Sequence, residues 1–250
     1  MKQYLIIATS CVLATTVFAL SALDDASNYE GGWISGSNGG SGFNPWGFTA
    51  TADNTATIAD STAAAGNVNS PLVSFEMAAA NGGSFDVFRS FGGDASLGAG
   101  DTFSLDLSLN YRNGAKGFDL RNDGDTLFNF NVGGDTYFFG GVNLSDASGE
   151  NWQYVANGVY SLEFEFVTEV IMNAKIIRNS DTFGAEQYQI PNVALSGVVN
   201  NFKFYVSGTD NANPENRLYA NNLQVVPEPA AFAWLLGVGV FLTVAVRRCR

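Results

Sequence analysis

The 250-residue chain contains no histidine, and its only two cysteines are Cys11 and Cys249. Without histidine there is no Ser-His-Asp or Cys-His catalytic set, no His-ligated zinc or haem, and no imidazole proton shuttle near neutral pH. The cysteines stand close to the two ends, so the long stretch between them has no thiol, disulfide or thiolate metal site. Positive charge is also scarce: 12 Lys and Arg face 24 Asp and Glu, for a net charge of −12. Helical periodicity is nearly missing between the ends. What remains is an acidic, Phe-rich and Gly-rich chain bounded by two apolar segments.

Residues 1–22 carry Lys2, an apolar run from Tyr4 to about Leu20, and small residues at the close. That is the layout of a secretory signal peptide. Cleavage fits after Ala19, with Val17 and Ala19 as the small pair, or after Ala22. The second is favoured here because Asp24 and Asp25 then begin the mature chain. At the other end Val226-Pro227-Glu228-Pro229 precedes residues 230–246, which carry no charge, and Arg247, Arg248 and Arg250 close the chain. Those 17 residues rise about 26 Å as a helix, at the short edge of a membrane span. Arginines beyond the span orient it with the acidic domain outside.

A signal peptide, a Pro-Glu-Pro motif, a short apolar helix and a terminal Arg cluster together resemble the PEP-CTERM sorting signal of Gram-negative bacteria. The match covers about the last 25 residues. The resemblance implies recognition by an exosortase, a membrane transpeptidase-like enzyme. It implies transient anchoring in the inner membrane, removal of the tail, and delivery to the cell surface or extracellular matrix, where such proteins often accompany exopolysaccharide. The expected organisation is therefore signal peptide 1–22, a domain over 23–225, and sorting signal 226–250.

Setting aside Lys2, Arg247, Arg248, Arg250 and Glu228 leaves 8 basic and 23 acidic residues over 23–226, a net charge of −15. Such a domain repels nucleic acid and anionic lipid. Within it, period-two alternation recurs: Phe103, Leu105, Leu107 and Leu109; Leu162, Phe164 and Phe166; Phe202, Phe204 and Val206. Each run reads as a half-buried antiparallel strand. Asn122-Asp123-Gly124-Asp125 reads as a two-residue hairpin turn. About a dozen strands over some 200 residues suit one all-β, two-sheet antiparallel sandwich. Gly31-Gly32-Trp33, the Gly-rich run 36–42, FDVFRSF at 85–91, GDTFSLDL at 100–107 and LYANNLQVV at 218–226 are similar to the concanavalin-like or laminin-G-like jelly rolls that precede this kind of tail. That resemblance implies scaffold, with the first and last strands adjacent and Gly31–Trp33 near the anchor.

The run 36–42 lacks the Lys of a phosphate-binding loop and reads as a surface loop. Trp33, Trp46 and Trp152, with Tyr29, Tyr137 and Tyr154, are the aromatics to test for stacking on sugar rings, with Asn38, Asn44 and Asn151 beside them; core packing competes with that role. Glu163-x-Glu165-x-x-x-Glu169 approaches the carboxylate pattern of laminarinase-type glycosidases but has Glu where Asp belongs, and its last Glu is one position late. Glu163 and Glu165 thus define the alternative to a non-enzymatic reading, a carboxylate-dependent glycoside hydrolase. No metal site is assigned. Asp119, Asp123 and Asp125 read as turn residues, and calcium is the one cofactor that an oxygen-rich composition leaves open. The reading the sequence favours is an exported, non-enzymatic surface or matrix protein that associates with exopolysaccharide.

Overall fold

The computed structural model describes residues 20–227 apart from 81, 112, 135, 146–151, 210 and 211. The apolar leader up to residue 19, Asn151, Glu228, Pro229, the 230–246 segment and Arg247, Arg248 and Arg250 lie outside the described residues. Among the described residues no helix is long and apolar enough to cross a membrane.

Alternating apolar residues pair into strands in chain order. The first five are β1 (Ala22–Asp24), β2 (Gly47–Ala50), β3 (Asn54–Ala59), β4 (Ser74–Ala79) and β5 (Ser84–Ser90). Next come β6 (Asp101–Leu109), β7 (Ala115–Asn122), β8 (Asp125–Gly133), β9 (Thr136–Phe139) and β10 (Val142–Asn143). The last five are β11 (Gly158–Thr168), β12 (Ile171–Ser180), β13 (Gly184–Ala194), β14 (Asn201–Ser207) and β15 (Leu218–Pro227). They form two antiparallel sheets. One is ordered β13-β12-β11-β6-β15-β4-β3 with β1 also on β15; the other is β10-β9-β8-β7-β14-β5-β2. This is the all-β sandwich that the alternation predicts.

The register follows the pattern. Phe103, Leu105, Leu107 and Leu109 of β6, Leu162, Phe164 and Phe166 of β11, and Phe202, Phe204 and Val206 of β14 are all buried between the sheets. Phe103, Phe118, Phe164 and Phe202 stack or tilt against one another at centroid distances of 5.2–6.4 Å. Such offset pairs add about 0.5–1.5 kcal/mol each beyond their buried area. The turn at Asp123-Gly124 is the expected one: Asn122 pairs with Asp125, and Asp123 takes a φ of 49°.

The two terminal strands reach past the bounds 23 and 225 that the sequence suggests. Ala22, assigned to the leader, is the first residue of β1, is 2% exposed, and pairs with Val225. At the other end β15 runs through Val226 and Pro227, which pair with Thr102 and Asp101 of β6. A bulge between Asn221 and Gln224 divides β15. Its first half pairs with β4 through Leu218–Ala220 and its second with β1 through Leu223–Val225.

The Gly-rich run 36–42 lies at the surface, as expected, and its end is fastened to β1. Ser41 exchanges backbone hydrogen bonds with Leu23 at 2.8 and 3.0 Å. Gly42 has a φ of 74°, and a Cβ there would sit 2.2 Å from the Ser21 carbonyl oxygen. Gly42→Ala is therefore expected to lower unfolding free energy by at least about 1–3 kcal/mol, measured by urea titration, whereas Gly36→Ala, with open space at its Cβ, costs less.

Candidate functional site

Two hollows open on the outer face of the first sheet. Segment 60–69 leaves β3 and folds back over that face, where Ala64, Ala65 and Val68 pack with Tyr219 and, less completely, Val159 in a second apolar cluster. This cover explains why Ser108, an outward position of β6, is buried; its hydroxyl donates to the Gly158 carbonyl at 3.3 Å.

Local hydrogen bonds hold the segment. Asp60 accepts from the Thr62 N–H, the Thr62 hydroxyl and the Asn69 amide, at 2.6–2.9 Å, and these donors keep its carboxyl below the usual range. Asn221, buried at the β15 bulge, donates to the Val68 and Val73 carbonyls at 2.9 and 2.7 Å and accepts from the Ala26 N–H at 2.9 Å. A bulge of this kind re-aims a side chain that a regular strand would place elsewhere.

Between this segment and the ends of β11, β12 and β13 lies a cleft of about 500 Å³. Thr62, Gly66 and Asn67 form one wall, and Asn157, Asn179, Ser180 and Asp181 the other. Gly66 is required at the contact, because a Cβ there would meet the Asn157 carbonyl oxygen at 2.6 Å. Phe183, just outside the opposite wall, is 44% exposed, with the Arg178 guanidinium 5.5 Å from its ring centre.

A second hollow of about 270 Å³ continues along the same strands. Val159 and Asn179, paired across β11 and β12, line the cleft; Ser161 and Ile177, the pair two residues on, line the hollow. Ser104, Asp106, Glu163, Asn222 and Gln224 complete it. Asp106 accepts from the Ser161 hydroxyl at 2.6 Å and from the Asn222 amide at 2.7 Å. The result is a polar groove along β11, with amides, hydroxyls and carboxylates on its walls and aliphatic side chains in its floor.

The structure distributes the sequence candidates differently. Trp33, Trp46 and Trp152 are each at most 2% exposed, so none presents a face to a sugar ring. Trp33 packs edge-on against Trp46 and Phe48, and Trp152 lies 4.7 Å from the Arg178 guanidinium. Their large apolar area is better satisfied between the sheets than in water, which corrects the stacking assignment. Tyr29 and Tyr137 are buried as well. Asn38 and Asn44 serve structure: Asn38 accepts from Arg89, and Asn44 donates to Ser90 and Phe91.

Glu163 and Glu165 stand two residues apart on the exposed face of β11. Glu163 is paired with Lys175 at 3.3 Å, and Glu165 accepts from Asn173 at 3.0 Å. Of the two, Glu163 lines the hollow, and the carboxylate that shares it is Asp106. Asp119 is occupied by Asn129 at 2.6 Å and Lys203 at 3.4 Å, and no group of acidic side chains among the described residues is arranged to hold a metal ion. The groove residues Asn67, Asn157, Asn179, Asp181 and Asp106 escape a linear reading because they come from four separate stretches. The Asn157-Gly158 step and the turn from Ser180 to Gly184 were their only local marks.

No protein-family model matches the sequence, and no curated protein matches it. Several solved structures superpose on the chain at low similarity. A sialidase superposes over 84% of this chain at 12% identity and a TM-score of 0.44, and the chain spans 19% of that protein. The alginate lyase of Aplysia kurodai covers 64% of this chain and 85% of its own at 10% identity, with a TM-score of 0.39. Lectin II from Ulex europaeus covers 71% and 90% at 9% identity, with a TM-score of 0.31. Likeness of this degree assigns neither ligand nor reaction.

Proposed function

We propose that this chain is an exported, non-enzymatic protein of the bacterial surface or extracellular matrix that holds polysaccharide in the β11 groove and is sorted through its PEP-CTERM tail. The observation that carries the reading is the succession of two hollows of mixed polar and aliphatic lining along one strand pair, a shape suited to an extended polymer rather than a compact ligand. The walls offer the donors and acceptors that sugar hydroxyls need, and the exposed ring of Phe183 offers an apolar face at one end.

Charge narrows the ligand. No Lys or Arg lines either hollow. Arg89, Arg178, Lys175, Lys203 and Arg217 are each paired with an acid. A domain of net charge −15 in which five of the eight Lys and Arg are held in ion pairs favours neutral polysaccharide over uronate or sulfated chains.

The poles of the sheet support the same picture. β6 carries Asp101 beside Pro227 at one end and Leu109 beside Gly158 at the other. Eight steps along the strand separate them by about 27 Å. The tail thus departs from one pole and the cleft opens toward the other.

Retention of the secreted protein on insoluble neutral glucan, compared with alginate beads, tests the binding. The expected result is retention on the glucan, reduced about tenfold by Asn179→Ala with Asp181→Ala, since each lost hydrogen bond is worth about 0.5–1.5 kcal/mol. Equal retention of the double variant, or preference for alginate, would overturn the assignment. Release of reducing sugar that Glu163→Gln abolishes would favour the hydrolase reading, with Asp106 rather than Glu165 as the partner carboxylate. Intact mass checks the sorting: mature protein is expected to lack the arginine tail, and Arg250 retained in it would replace sorting by permanent anchoring.

A further inference from the structure

Resting on the export reading, we infer that the leader is removed at the Ala19–Leu20 bond and not after Ala22, so that the mature chain begins with Leu20. The fold uses every residue between the two candidate cuts. Ala22 is buried and pairs with Val225. Leu20 packs against the main core. The Ser21 carbonyl and the Ala22 backbone lie against Gly42, closely enough that an added Cβ would stand 2.2 Å from the first and 2.7 Å from the second.

A cut after Ala22 would leave Leu23 as a charged terminus. Leu23 is the middle residue of a three-residue strand, and it also bridges to Ser41. That cut shortens β1 to two residues, removes the partner of Val225 in the half of β15 where β4 no longer pairs, and exposes the ladder groups of Val225. It also places an ammonium one residue from the buried Asp24, whose carboxylate already serves Arg89. A cut after Ala19 leaves β1 whole and satisfies the requirement for small residues with Val17 and Ala19.

The reaction is a hydrolysis by a signal peptidase. The amide bond between the Ala19 carbonyl and the Leu20 nitrogen breaks, and water supplies the hydroxyl of the Ala19 carboxyl and a proton to the Leu20 amine. Ala22 pairs with Val225, two residues before Pro227, so the new amino terminus two residues ahead of Ala22 leaves from the same end of the sheet as the sorting tail. Both connections to the membrane therefore leave from one pole.

N-terminal sequencing of the full-length gene product recovered from the exported fraction tests this directly. The expected sequence is Leu-Ser-Ala-Leu-Asp. A start at Leu23, reading Leu-Asp-Asp, overturns the inference while leaving export intact, and a retained Met1 overturns both. Ala19→Gln is expected to reduce processing at least tenfold, whereas Ala22→Gln leaves the cut in place. Because the terminus is read on denatured protein, the second result holds whether or not Ala22→Gln folds. Loss of processing in Ala22→Gln alone would assign the cut to the later bond.

Discussion

Arg89→Ala is expected to lower the unfolding free energy by about 3–5 kcal/mol, the usual cost of removing one partner of a buried ion pair. Arg89 occupies an inward position of β5, on the same face as Phe85 and Val87, and is 1% exposed. Its guanidinium pairs with Asp24, donates to Asn38 and to the carbonyls of Gly39 and Asn44, and lies 4.9 and 5.0 Å from the ring centres of Phe43 and Trp46. Asp24 in turn accepts from Tyr29 and Asn28 at 2.5 and 2.9 Å.

Truncating the arginine leaves a carboxylate buried without its counter-charge, and that penalty outweighs the lost stacking. For a domain of this size the loss corresponds to a fall in Tm of roughly 10 °C. Because the network ties β1 and the Gly-rich run to β5, hydrogen exchange is expected to accelerate first in residues 22–43. An Asp24→Leu, Arg89→Met double variant recovers most of the loss, since two apolar side chains leave no charge stranded. A melting temperature unchanged in Arg89→Ala would refute this account of how the amino-terminal strand is held.

Lys116→Met is expected to act in the opposite direction. Lys116 lies on the inward face of β7, fully buried, opposite Val206 and Val132, and its Nζ has no hydrogen-bond partner among the described residues. Burial pulls its ammonium down to about 7, because desolvation disfavours the charged form. Between pH 7 and about 10 the unfolded chain therefore binds a proton that the folded chain does not, and stability rises with pH across that window.

Below pH 7 the lysine is charged in both states, and the full burial penalty persists. Methionine fills a similar volume without the charge. The expected gain is about 4 kcal/mol as an upper figure near pH 7, shrinking to less than about 1 kcal/mol by pH 10. Urea titrations of the wild type and variant at pH 6, 8 and 10 measure it. A gain that does not shrink with rising pH would show that packing, not charge, is responsible.

Both residues mark where a linear reading fails. The strands of β6, β11 and β14 were legible because one face meets the core and the other meets solvent, and that condition writes itself into the sequence with period two. Arg89 and Lys116 sit at inward positions of equally regular strands, and nothing next to them in sequence says so. The partner that makes Arg89 tolerable, Asp24, is 65 residues away. The roles of Leu20 and Ala22 are hidden for a related reason: one is apolar and the other small, so they read as the close of a leader whether or not the fold needs them.

The aromatic residues make the same point from the other side. Trp33, Trp46 and Trp152 have the chemistry of a sugar platform and the area of a core residue, and composition alone leaves both uses open. Contact with Phe48, Phe75 and Arg178 from distant strands commits them to the core. The groove, conversely, is built from residues that carry no motif.

By itself the sequence determined which chemistries the domain lacks, since missing histidine and thiol cannot be restored by any fold, and it determined the acidic surface and the alternation that makes two sheets. Only the tertiary structure decided that Ala22 and Pro227 are strand residues, which aromatics are hidden, and which amides and carboxylates line one groove. Those outcomes depend on pairings between segments far apart in the chain. Burial and hydrogen bonding are properties of such pairs, and no single residue carries them.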